Sequence, residues 1–215
     1  MIPTIAHAVS RRGSRLRRAS RAGLLLLVAA LFLIGAGIAG CRSIFARPPF
    51  DPDAVARAEA AMWKGYYDGN RVRVALSLME LLRVQFGMTL SEARAVAQPL
   101  ARAALAFKPA RDRYAERVLP DLTEAYRRIA RFSGAAFDPE AAARAELAWW
   151  VARRTPETKS PDQVGARIAA LYAVLNGAPH PAFERAGRLR AEAAQLRYSG
   201  RANPDWPRIE TLLRD

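Results

Sequence analysis

Fourteen residues of this chain are written almost twice. The stretch 50–63 lies over 137–150 with ten identical positions. Alanine and arginine abound throughout, so their share of the match says little. The Phe-Asp-Pro opening says more, as do a Glu and a Trp at fixed spacing, which pair Glu59 with Glu146 and Trp63 with Trp150. A looser echo follows: Val74, Leu78, Leu81, Val84 and Gly87 against Val164, Ile168, Leu171, Val174 and Gly177, then Pro120-Asp121 against Pro204-Asp205. The expectation is a tandem duplication of a helical unit of roughly 85 residues, the alternative being two capped helices that converged on similar solutions. That period is far longer than in tetratricopeptide or ankyrin repeats, so a pseudo-symmetric bundle of two halves, 51–134 and 135–215, is expected rather than a familiar solenoid.

Helical punctuation runs through both halves. Half the residues are apolar and a quarter are charged, the balance of a chain that buries a core. Asp51-Pro52 joins a capping side chain to a residue preset for the first helical turn, and the helix it opens is expected to reach about Asp68 before Gly69-Asn70. A second helix, 72–86, is apolar on nearly every side, which predicts a central position. Thr89 and Glu92 form a capping box for a third helix to about Lys108, with Pro99 inside it. Over 111–132, Tyr114, Val118, Leu122, Tyr126, Ile129 and Phe132 fall on one stripe, with Pro120-Asp121 a candidate break. Asp138-Pro139, Ser160-Pro161, His180-Pro181 and Asn203-Pro204-Asp205 open the helices of the second half. No segment alternates like a strand. The expected fold class is all-α.

Ahead of this body, residues 1–41 have a different character. Six arginines, Arg11 to Arg21, precede an uncharged run of nineteen residues, 22–40, and no acid occurs before Asp51. At about 1.5 Å per residue such a helix nearly crosses a hydrocarbon core of about 30 Å. The arginine excess keeps the N-terminus in the cytoplasm and sends the body outward. Ile38-Ala39-Gly40-Cys41 resembles the lipobox of bacterial lipoproteins, with an aliphatic residue, two small residues and a cysteine. The resemblance implies cleavage before Cys41 and lipidation of its thiol. The alternative is an uncleaved span that happens to end in a small apolar cysteine. Residues 42–50, with Pro48-Pro49, form a stiff tether. With a single cysteine no internal disulfide forms. The expected location is a bacterial cell membrane or outer membrane, the body on the periplasmic side.

Residues able to carry chemistry are few. The only histidines are His7 and His180, which rules out a histidine-based metal cluster, and no glycine-rich phosphate loop or nucleophile elbow occurs. Glu59 and Glu146 remain, each four residues before a tryptophan and so on the same helix face. A partly desolvated pair would suit acid–base or metal chemistry, although neither belongs to the Glu-x-x-His pattern of di-iron bundles. The structural alternative, which the many arginines favour, pairs each with an arginine or an indole N–H. Trp63, Tyr66, Tyr67, Trp149 and Trp150 are either the packed centre between the halves or the wall of a ligand groove.

Charge narrows the partners. Of 34 basic residues six lie in the leader, leaving 28 against 20 acidic residues. A moderately basic, exported body is expected to meet anionic lipid or polymer and an envelope protein, not nucleic acid. No cofactor is implied. The leading expectation is a non-enzymatic scaffold or adaptor of the envelope. A bundle holding an apolar ligand in an aromatic groove comes second, and a carboxylate enzyme built on Glu59 and Glu146 a distant third.

Overall fold

Helices begin where the side chains can cap them. The computed structural model describes residues 48–198 and 204–215, which form eight helices and no strand. They are α1 (Pro52–Tyr67), α2 (Arg71–Phe86), α3 (Leu90–Phe107), α4 (Tyr114–Ser133), α5 (Pro139–Arg154), α6 (Pro161–Asn176), α7 (Pro181–Tyr198) and α8 (Trp206–Arg214). Asp51 and Asp138 each accept a backbone N–H at 2.9 Å at the head of α1 and α5, and a proline follows in both. Thr89 and Glu92 close a reciprocal capping box on α3. His180 has a comparable duty, its Nδ1 accepting the Ala182 N–H at 3.1 Å where α7 starts. Gly87 and Gly177 end α2 and α6 in left-handed conformations, φ +60° and +79°, which cost glycine nothing.

Two sequence expectations fail. Pro120 does not break α4, which is one helix through that position. A proline there costs about 3 kcal/mol. Against it stand Val118, Leu122, Ala125, Tyr126 and Ile129, all buried, and each large side chain contributes about 1.5–3 kcal/mol by leaving water. Burial wins. Nor is α2 central: Val72 is 69% and Leu76 59% exposed. No helix occupies a centre, because each packs on its neighbours in sequence and α8 closes back onto α1, making a ring.

Packing around the ring is uneven. The α6–α7 contact is the most extensive, and α2 against α3 much less so. Glycines explain the first. A Cβ on Gly187 would stand 2.4 Å from the Gly165 carbonyl oxygen, so the two backbones touch directly. Between α2 and α3 the chain turns by 119°, through Gly87 and the fully buried Met88. Arg154 ties the C-terminus of α3 to α5, donating to the carbonyls of Phe107 at 2.8 Å, Ala110 at 3.1 Å and Lys108 at 3.2 Å. One cluster of buried residues runs from α2 to α7, and a smaller one of Trp63, Ala193, Ala194, Ile209 and Leu212 seals α1, α7 and α8. Among the described residues no single helix is long and apolar enough to cross a membrane. The apolar run 22–40, Cys41 and His7 lie outside the described residues.

Candidate functional site

A cavity of about 220 Å³ lies within the ring, lined from seven helices. All five aromatic residues singled out in the sequence face it: Trp63, Tyr66 and Tyr67 from α1, Trp149 and Trp150 from α5. They line a cavity and pack at the same time, since Trp63 and Trp149 are themselves buried. The walls of α2 and α3 are apolar, with Leu78, Leu81, Leu82, Phe86, Leu100 and Phe107. Phe107 packs between Tyr114 and Trp150, with ring centroids 5.1 Å from each. Trp149 and Trp150 meet edge to face at 6.2 Å.

The opposite side is polar. Glu59, from α1, is the one buried charged residue among those described, and Arg190 of α7 pairs with it. The guanidinium reaches Glu59 Oε1 through Nη2 at 2.6 Å and Nε at 2.8 Å. Its flat face lies over Trp149 at 5.1 Å. Burial opposes the charge on Arg190, but Glu59 first, then Tyr172 and Glu146, outweigh it and hold its pKa above the ordinary value. Glu146 is held differently. The Tyr126 hydroxyl donates to Oε2 at 2.9 Å and the Trp150 indole N–H to Oε1 at 2.7 Å. Burial, reinforced by the Glu146 charge, pushes the Tyr126 phenol well above its usual range, so the fold keeps it protonated. Burial likewise raises Tyr172, which shares a hydrogen bond with Arg190.

Glu59 and Glu146 therefore bear on one network, since both carboxylates act on Arg190 and on Tyr172. Sequence reasoning singled out the two carboxylates and the tryptophans. It missed Arg190, Tyr126 and Tyr172. Tyr126 belonged to a recognised apolar stripe, yet nothing in the spacing of the chain announces its partner twenty positions away.

At one end of the ring the C-termini of α1, α3, α5 and α7 converge. Lys108 sits over the Tyr66 ring at 4.7 Å, Arg197 over Tyr67 at 3.9 Å and Arg154 over Phe107 at 3.8 Å. Cations suit the negative ends of helix dipoles. Among the described residues no group of three or more His, Cys, Asp or Glu is placed to hold a metal ion. Compared with family models, curated proteins and solved structures, the chain matches none.

Proposed function

We propose that this protein is exported, held to a bacterial membrane by its N-terminal segment, and binds an apolar ligand inside its helical ring. The aromatic-walled cavity carries the reading. Its volume of about 220 Å³ exceeds the roughly 150 Å³ of an apolar cavity that takes up benzene, and its mixture of aromatic walls with a few fixed polar groups is typical of ligand sites. The cavity ranks ligand binding above a purely scaffolding role. Neither carboxylate is assigned catalysis. Glu59 is neutralised by Arg190, and Glu146 has a donor on each oxygen.

The ring is read as two related units, α1–α4 and α5–α8. Helix lengths of 16, 16 and 18 residues recur in the same order, and the Asp-Pro starts and left-handed glycine stops recur with them. The junctions α4–α5 and α8–α1 take equivalent places around the ring. The anchor rests on sequence alone: six arginines, nineteen uncharged residues, then Cys41.

The test uses bromoundecanol, whose bromine quenches an indole on contact. Three of the four tryptophans line the cavity. With the full chain in phosphatidylcholine nanodiscs, saturable quenching is expected, and Ala104→Phe, which fills the cavity, should remove the saturable part. Linear quenching, equal in both proteins, rejects ligand binding. An alkyne-tagged fatty acid fed to cells should label the wild type and not Cys41→Ser; equal labelling removes the lipid anchor. A second reading, contact with another envelope protein, is favoured by the exposed Val72 and Leu76, one helical turn apart on α2. Val72→Ser with Leu76→Ser should then abolish crosslinked adducts that form through α2, and adducts that persist unchanged remove this contact.

A further inference from the structure

We infer that the ligand is a single-chain amphiphile with an anionic head group, a carboxylate or a phosphate monoester, seated beside Lys108 and Arg197. The inference rests on the cavity being a binding site. Tyr66 and Tyr67 both line that cavity, their rings 5.3 Å apart and edge to face. Each carries a cation, Lys108 at 4.7 Å and Arg197 at 3.9 Å. The two positive charges thus bracket a pair of aromatic rings at the edge of an apolar space.

Neither cation is neutralised. At least twelve of the arginines form ion pairs among the described residues, and Lys108 and Arg197 are outside that set. Arg197 Nε is buried with no acceptor. A buried donor left unmatched costs about 1–3 kcal/mol, and the Tyr67 ring face supplies only part of what the guanidinium loses from water, while the Lys108 ammonium beside it is exposed. Elsewhere in the cavity both oxygens of Glu146 already accept, from Tyr126 and Trp150. A head group that only accepts hydrogen bonds and bears negative charge therefore complements this edge, where an amine would not. The leucines and phenylalanines of α2 and α3 take the chain.

Three probes with the same tail decide the matter: bromoundecanoate, bromoundecyl phosphate and bromoundecanol, each titrated against the tryptophan fluorescence of the full chain in phosphatidylcholine nanodiscs. Comparing proteins in identical discs cancels partitioning into lipid. Lys108→Gln with Arg197→Gln should weaken at least one anionic probe about tenfold, as expected for two partly screened charge contacts, and leave bromoundecanol within about twofold. The anionic probe that binds more tightly to the wild type identifies a fatty acid or a phosphate-bearing lipid as the source. If all three probes weaken equally, or none weakens, the head-group assignment is overturned while the cavity remains a binding site. If no probe, bromoundecanol included, quenches the wild type saturably, the cavity reading falls and takes this one with it. A thermal melt matching the wild type separates lost contacts from lost folding in the variant.

Discussion

Arg190 reaches Glu59 across 131 positions of sequence, and the cost of separating them is predictable. Each alone would leave a charge in a mostly dry interior, so Arg190→Met should lower stability by about 3–5 kcal/mol. The double variant Arg190→Met with Glu59→Leu should regain most of that loss, because it removes both charges. Urea unfolding of the three proteins checks this, and a double variant as weak as the single would show that packing, not charge, is what Arg190 supplies. Tyr126 gives a test in pH. Its folded pKa is raised above the ordinary value of 10.0, first by burial. The unfolded chain therefore releases that proton at lower pH than the folded chain, and the stabilisation, complete below about 10, is lost as pH rises beyond it. In an ultraviolet titration Tyr126 and Tyr172 are expected to ionise only as the protein unfolds. Phenolate absorbance from all the tyrosines before any loss of helicity would contradict their burial.

Helix by helix, backbone contact sets the tolerance to substitution. Gly187→Ala drives a methyl toward the Gly165 carbonyl oxygen, 2.4 Å away, and the Ala169 amide, 3.0 Å away, so the loss should be about 1–3 kcal/mol or more. Gly177→Ala meets no atom within 4 Å and carries only the left-handed strain of about 1 kcal/mol. Thermal melts that rank Gly177→Ala as the worse of the two would show that α6 and α7 can separate freely. Much of this level is legible in the sequence. Asp51-Pro52, Thr89 with Glu92, Ser160-Pro161 and Gly177 act locally, through atoms a few residues apart, and each sits where it was expected. Pro120 and α2 were misread because their outcome depends on neighbours: a local rule prices the missing N–H, but only the assembled ring shows what α4 buries or that α2 has an outer face. The site divides the same way. Its aromatic residues are visible as a composition near two capped helices, whereas the Arg190 partnership belongs to no window of sequence.

For the ring as a body, closure depends on the nine residues of α8. Ile209 is fully buried and Leu212 nearly so, against Trp63, Ala193 and Ala194. Ile209→Ala should cost about 2–4 kcal/mol, and amide exchange should quicken in α1 and α7 before it does in α4. Uniform acceleration throughout would mean that the seam opens only with global unfolding. The glycine contact of α6 with α7 has a counterpart in the looser α2–α3 corner. A vessel clamped along one flank yields along the others. Tails longer than the empty space accommodates should displace the loosely held elements, so that chain length is registered as increased amide exchange in α2, α3 and α8 while the α6–α7 contact moves least.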